Sequence, residues 1–384
     1  MPRSKLKSSS LTEESLVTIK TVAEAADCAV STVSRALRDD PAISEQAKKR
    51  VREAARRLNY QPLRKRRSLP RPSEETTSSE TREYLLLSLG LDRSLTALPA
   101  IAETINGLED ALSSFELRMQ VTHIPDVQRT PPQLGDLDSI DGVFLIGPMQ
   151  GRMLADSDSP LLARLQKLRT VWLLGRPEGC RGDSVGANDW KVGMLAARHL
   201  AERGHRHVAY FSPKPDHSLM MNREGGFLAE ATRQGMKVDR FTSPPTEGWN
   251  LPLKPPLDAD EVTHLVQKFL RQKKRPTAIF TGSDAVAAVL YAELGRRGIQ
   301  VGEEVSIISG NNDRALIAGL HPQLTTIDIQ AREIGRVAVH QMETRIRAGK
   351  TLPEMELFID PQLVVRESVR DFSSLKQGTT RRER

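Results

Sequence analysis

The stretch from Thr18 to Leu37, TIKTVAEAADCAVSTVSRAL, reads as two short helices separated by a tight turn. On the first, Ile19, Val22, Ala23 and Ala26 recur at the spacing of one helical face. On the second, Val33, Ala36 and Leu37 do the same, with Val30 one turn earlier. Asp27, Cys28 and Ala29 lie between them, about the length that a helix-turn-helix requires. The outer face of the second helix carries Ser31, Thr32, Ser34, Arg35 and Arg38. Such hydroxyl and guanidinium donors suit base edges and phosphates. A helical hairpin with a solvated polar face is the competing reading.

Charge placement favours the first reading. The 384-residue chain has a net charge of +7. Residues 1–72 hold 17 Lys and Arg against 8 Asp and Glu, a net of +9, which leaves −2 for the rest. One basic end and a near-neutral remainder are expected when one domain meets phosphate and another does something else. The length implies two or three domains. Two distant cysteines, Cys28 and Cys180, make neither a disulfide framework nor a zinc site, and they suit a reducing compartment. No apolar run approaches the roughly 20 residues needed to span a bilayer. The opening MPRSKLKSSS lacks the apolar core of a secretory signal, so a cytoplasmic protein is expected.

Outward from the opening stretch, residues 1–16 read as a disordered tail. Ser44 is placed to cap a third helix, EQAKKRVREAARRLNY, with Ala47, Val51, Ala54 and Leu58 on its apolar face. Lys48, Lys49, Arg52, Arg56 and Arg57 are expected on the opposite, charged face, either solvated or touching phosphate. PRPSEETTSSET, residues 70–81, is a linker by composition. Beyond it, apolar runs such as EYLLLSLGL (83–91), DGVFLIG (141–147), TVWLLG (170–175) and HVAYFS (207–212) alternate with helical segments. That rhythm predicts parallel α/β sheets, whose ligands sit outside the carboxyl ends of the strands.

The run TVAEAA, VSTVSRAL, LNYQP and RSL resembles the headpiece of the LacI/GalR family of bacterial transcriptional regulators. The resemblance implies a helix-turn-helix domain over residues 17–62 and a hinge and linker over 63–81. It implies DNA contacts by Thr18, Val30, Ser31, Thr32, Ser34, Arg35, Tyr60, Arg66, Arg67, Ser68 and Leu69, the last as a minor-groove wedge. Four positions depart from the family pattern. Asp27 replaces the turn glycine, Ala29 the serine that caps the recognition helix, Leu63 the hinge asparagine and Arg66 a small hinge alanine.

INGLE (105–109), HLAERGHRHVAY (199–210), Arg223 with Gly226 and Phe227, PTAIF before Ser283 and Asp284, VSIISGNND, HPQLTTI (321–327) and LVVRES (363–368) extend the resemblance to the family's effector domain. It implies two Rossmann-like parallel α/β subdomains, of the periplasmic-binding-protein type I fold, over residues 82–370, with a tail over 371–384. The implied effector residues are Arg93, Ser94, Asp189, Trp190, Arg223, Trp249, Asp284 and Asn311. Arg223 would clamp a ligand with its fork of donors, or else form a salt bridge on a loop. Trp190 and Trp249 are either stacking platforms for a sugar ring or structural.

The implied function is that of a repressor, a homodimer on double-stranded operator DNA, released or recruited by a sugar-like effector. No cofactor is expected. A soluble sugar-binding receptor is the alternative. His199, His205 and His207 are expected on a helix end, a turn and a strand start, which is not a metal set. There is no phosphate-loop or nucleophile-elbow motif, so an enzyme is not expected.

Overall fold

A computed structural model describes residues 19–37, 40, 43–58, 82–113, 118–134, 137–245, 248–254, 259–349 and 352–373. Thr18, Leu63, Tyr60 and the hinge residues Arg66, Arg67, Ser68 and Leu69 lie outside them, as do the expected disordered tail over residues 1–16 and residues 374–384 of the C-terminal tail. The chain divides into two units, Met1–Ser79 and Glu80–Arg384.

In the first unit, α1 (Ile19–Ala25), α2 (Val30–Leu37) and α3 (Glu45–Arg57) pack around Val22, Ala26, Val33, Ala36, Val51 and Ala54. Asp27 sits at φ 49°, the left-handed conformation that the turn demands and that aspartate tolerates better than most side chains. Cys28 N–H donates to the Ala23 carbonyl at 3.1 Å and closes the first helix. Ser44 caps α3, its Oγ accepting from Ala47 N–H at 3.4 Å. Lys48 departs from expectation. It is buried and pairs with Glu45 one turn earlier at 2.9 Å, so it does not belong to the charged outer face.

The second unit holds two lobes of the same topology. In the first lobe, β1 (Glu83–Leu89), α4 (Pro99–Ser113), β2 (Arg118–Ile124), β3 (Gly142–Ile146), α5 (Pro160–Leu165), β4 (Thr170–Leu173) and β5 (Asp183–Ala187) follow in order. The second lobe has α6 (Asp189–Glu202), β6 (His207–Ser212), α7 (Ser218–Arg233), β7 (Lys237–Thr242), α8 (Ala259–Leu270), β8 (Ala278–Thr281), α9 (Asp284–Gly295), β9 (Ser306–Asn311), α10 (Arg314–Ile317) and β10 (Thr325–Asp328). The chain then returns to the first lobe with α11 (Ala331–Ala348) and β11 (Glu356–Ile359), and crosses again to β12 (Gln362–Val364).

The sheets run β2-β1-β3-β4-β5-β11 and β7-β6-β8-β9-β10-β12. All the paired strands are parallel except β12 against β10. Three crossovers therefore join the lobes, after β5, after β10 and after β11. Both faces of each sheet are covered. Tyr84 and Leu86 of β1 enter one apolar cluster, while Leu85, Leu87 and Leu89 enter another. Burial on both faces is why the strands read as unbroken apolar runs rather than as alternation.

Glycines let two helix pairs touch backbone to backbone. A Cβ on Gly107 of α4 would stand 1.9 Å from the Arg332 carbonyl oxygen of α11, and one on Gly335 of α11 2.0 Å from that of Thr104. In the other lobe, a Cβ on Gly193 of α6 would meet the Arg223 oxygen, and one on Gly226 of α7 the Trp190 oxygen, each at 1.9 Å.

The second lobe extends past residue 370, where the resemblance ends it. Phe372 N–H donates to the Arg203 carbonyl at 2.8 Å, and its ring meets the His205 imidazole edge-on, 5.1 Å between centroids. Asp371 and Phe372 thus belong to the second lobe, because an aromatic ring there covers a buried histidine.

His205 Nδ1 lies 2.8 Å from Thr277 Oγ1, and Nε2 lies 3.2 Å from the Arg370 carbonyl oxygen. Burial pulls its pKa from 6.5 down to about 4. A histidine depressed in the folded state contributes stability above its unfolded pKa and loses it as pH falls toward the folded one. Protonation of the unfolded chain between pH 6.5 and 4 therefore withdraws up to about 3 kcal/mol. His205→Gln should be less stable than the parent at pH 7, with the gap narrowing toward pH 4.5. Thermal unfolding across that range is the check, and a constant gap would count against it.

Candidate functional site

A cavity of about 480 Å³ lies between the lobes of the second unit, at the carboxyl ends of the strands of both sheets. The first lobe supplies Leu91, Leu95 and Leu98 after β1, Ile146 to Gln150 at the end of β3, and Leu173 and Leu174 at the end of β4. From the second lobe come Ser212 to Lys214 after β6, Thr281 to Ser283 after β8, Asn311 and Asp313 after β9, and several residues of α7. Asp189 and Ile329, at two of the crossovers, complete the wall. Direct contacts also bridge the lobes. Leu253 N–H donates to the Gly90 carbonyl at 2.8 Å and its own carbonyl accepts from Asp92 N–H at 2.7 Å. Ser218 N–H and Oγ both donate to the Met149 carbonyl.

Arg223 organises the polar side. Helix α7 begins at Ser218, so Arg223 sits in its second turn and not on a loop. It is 2 % exposed. Its Nε donates to Asp189 Oδ1 at 2.7 Å, and Nη1 donates to Asn311 Oδ1 at 2.9 Å and to the Gly282 carbonyl. The absence of a side chain at Gly193 and Gly226 brings α6 and α7 close enough for Arg223 to reach Asp189 at the start of α6. Burial pushes the Asp189 pKa up, and the Arg223 charge pulls it back down. Asp313 is pushed up to about 6, chiefly by burial, with the Asn311 amide opposing and the Asp284 charge adding to the rise. His217 is held down at about 4 by burial and by Arg223. Its Nδ1 accepts from Leu219 N–H at 3.3 Å, so the neutral ring carries its proton on Nε2.

Asp189, Arg223 and Asn311 are thus brought together on the cavity wall; the other expected effector residues are not. Asp284 is fully buried behind it. Its carboxylate accepts from Ser309 Oγ, from Thr326 Oγ1 at 2.8 Å and from Asp313 N–H at 2.6 Å, tying strand ends together. Trp190 is 49 % exposed, its ring lying near Gly225 on the outer side of the α6–α7 pair. Trp249 is half-buried against the core, with Nε1–H donating to Asp216 Oδ2 at 2.7 Å. Arg93 and Ser94 are exposed on a turn closed by Asp92, whose Oδ1 accepts from Ser94 N–H at 2.9 Å. Gln150, His217 and Thr281 are wall residues that sequence reasoning missed. Their position after β3, before α7 and at the end of β8 is the signal that marks them.

In the first unit, α2 turns Val30, Ser31 and Arg35 outward, all exposed, while Val33 and Ala36 face the core. Thr32 is half-buried. Exposing an apolar Val30 at the first turn suits contact with a base methyl group. Lys49, Arg50, Arg52, Arg56 and Arg57 of α3 are exposed and supply the positive field.

A basic helix-turn-helix unit joined to a two-lobed α/β domain with an interlobe cavity defines a ligand-responsive DNA-binding protein. Residues 18–62 match the model of bacterial regulatory proteins of the lacI family, and residues 197–369 match that of the periplasmic binding protein-like domain. The chain is 28% identical over 363 residues to the HTH-type transcriptional repressor PurR of Aliivibrio fischeri, covering 92% of this chain and 98% of that one. A transcriptional regulator CelR–cellobiose complex shares the fold, with TM-score 0.59, 21% identity, and 92% and 99% of the two chains covered. So does the lac repressor dimer bound to operator and an anti-inducer, with TM-score 0.58, 18% identity and the same coverage. The chain thus carries a lacI-family DNA-binding domain and a periplasmic-binding-protein-like domain, and it is a DNA-binding transcriptional regulator.

Proposed function

We propose that this regulator is a cytoplasmic repressor that binds a pseudo-palindromic operator as a homodimer and answers to a small molecule in the interlobe cavity. One observation carries the reading: the cavity wall includes both lobes and two crossovers, at Asp189 and Ile329. An occupant that prefers one lobe angle shifts the population toward it, with a coupling of about 1–3 kcal/mol to the DNA end. Residues 17–62 are the DNA-binding domain, 63–81 the hinge and linker, and 82–370 the effector and dimerisation domain. Val30, Ser31 and Arg35 face bases and phosphates, with Thr32 and Ser34 on the same helix. Thr18, Tyr60, Arg66, Arg67, Ser68 and Leu69 contribute the remaining contacts and the wedge. Two headpieces reaching two half-sites motivate the dimer. Asp189, Arg223 and Asn311 form the polar end of the effector site. The sugar-like effector that the resemblance implies would meet that cluster, but Trp190 and Trp249 lie off the wall and offer it no stacking surface.

Incubating the full-length protein with fragments of its own genome, and sequencing those retained, tests the reading. A shared pseudo-palindrome upstream of a few operons supports it; uniform, salt-sensitive retention sinks it. On that operator, Leu69→Ala should weaken specific binding about 10-fold or more and leave non-specific binding nearly unchanged. Equal losses on both DNAs would remove the wedge. A chain lacking residues 1–81 that kept every measured function would favour a soluble receptor.

A further inference from the structure

The cavity wall is built for something other than a polyol. Its first-lobe side is aliphatic, with Leu91, Leu95, Leu98, Ile101, Ile146 and Leu173. Among its described residues there is no Phe, Tyr or Trp for a sugar ring to stack on. Most of its polar side chains are already engaged with protein. Asp189 and Asn311 hold Arg223, Lys214 holds Glu261 at 2.8 Å, and Ser283 caps α9. A sugar carries a hydroxyl on nearly every carbon. Each one desolvated against leucine without a partner costs about 1–3 kcal/mol.

Two side chains on the wall do have unspent capacity. Gln150 is 2 % exposed, and neither its Nε2 nor its Oε1 has a hydrogen-bond partner among the described residues. Thr281 is fully buried with its Oγ1 in the same condition. Thr281 immediately precedes Gly282, whose carbonyl accepts from Arg223 Nη1. A buried amide and hydroxyl left unpaired by the protein are costly, and a ligand head group that pairs with them recovers that cost.

We propose that the cavity's occupant is an amphipathic small molecule: an apolar ring or branched chain seated among the first-lobe leucines and isoleucines, carrying one carboxylate or carboxamide head for Gln150, Thr281 and Arg223. The assignment rests on the reading of this cavity as the effector site. About 480 Å³ suits an occupant of roughly 10–20 non-hydrogen atoms.

The full-length protein is titrated calorimetrically, and its thermal unfolding followed, with aryl-alkyl and branched-alkyl carboxylates such as 3-phenylpropanoate and 4-methyloctanoate. The matching primary amides, and glucose, cellobiose and hypoxanthine, form the other arms. Binding by members of the apolar arms at one per chain, with no binding by the sugars or the purine, is expected. Preference for acid or amide then identifies the head. Gln150→Ala should weaken the best binder about 10-fold or more through the lost head-group bonds. Leu98→Asp, at a position 40 % exposed on the wall and therefore tolerant of change, should weaken it similarly. Binding by a sugar or purine in place of the apolar compounds overturns the proposal. So does silence of both apolar arms, or binding that neither variant alters. Operator retention is read in parallel. A compound that binds as expected but leaves retention unchanged preserves the ligand class and defeats the effector reading instead.

Discussion

Gly226→Val should cost the effector domain most of its stability. A Cβ at that position stands 1.9 Å from the Trp190 carbonyl oxygen, where no real carbon is found. The obstacle is backbone of the neighbouring helix, so no rotamer change relieves it. α6 and α7 must separate, which uncovers Ala196, Ala197, Phe227 and Ala231, all fully buried in the shared core. Overpacking by a few methylenes commonly costs about 1–3 kcal/mol. With rigid backbone as the obstacle, about 4 kcal/mol or more is expected, the range reserved for such defects. Gly295→Ala is the control. Gly295 ends α9, and a methyl group there would meet nothing within 4 Å, so that change should be neutral or stabilising by up to about 1 kcal/mol. Urea unfolding of both variants decides the matter; equal midpoints would refute the packing argument.

Arg223→Met has the second-largest expected effect, through charge rather than volume. The substitution leaves Asp189 buried without a counter-ion and releases the Asn311 amide and the Gly282 carbonyl. Breaking a buried pair from one side costs about 3–5 kcal/mol, far more than the intact pair contributes. Asp189→Asn added to Arg223→Met should restore a large part of the loss, because the double variant buries no charge. The pH response carries a sign. Without the Arg223 charge, the Asp189 pKa rises further above its ordinary value. A carboxyl raised in the folded state contributes stability below its unfolded pKa and loses it as pH rises through the folded one. Arg223→Met should therefore gain on the parent as pH is lowered from 7 toward 5, whereas the double variant should not. Unfolding free energies of the three proteins at the two pH values test this, and a single variant as stable as the parent would end the argument.

Local rules made much of the chain readable. Helical spacing of alanines and valines from Ile19 to Leu37 defined two helices and their inner faces, because burial on one side of a helix imposes that spacing. Asp27 was readable as a left-handed turn residue and Ser44 as a cap, since both effects act within three or four positions. Doubly covered strands announced themselves as apolar runs. Short or amphipathic pieces such as β5 and α8 were not separated by pattern alone. Lys48 was misread because its stem can lie buried while its ammonium meets Glu45, and spacing does not report that choice.

The amino-acid order by itself determined the three-helix headpiece, the basic charge confined to one end, the parallel α/β rhythm and the presence of glycines in helices that must touch. These follow from periodicity and backbone freedom, which act over a turn or two of chain. Which polar side chains share a site was decided only by tertiary structure. Asn311 and Arg223 are 88 residues apart and meet because β9 ends and α7 begins at the same edge of one lobe. Trp190 lies one position after Asp189, yet Asp189 faces Arg223 on the cavity wall while Trp190 faces outward, since neighbours on a helix point about 100° apart. The aliphatic wall, too, is assembled from strand ends far apart in sequence, so its chemistry becomes visible only when the sheets have brought those ends together.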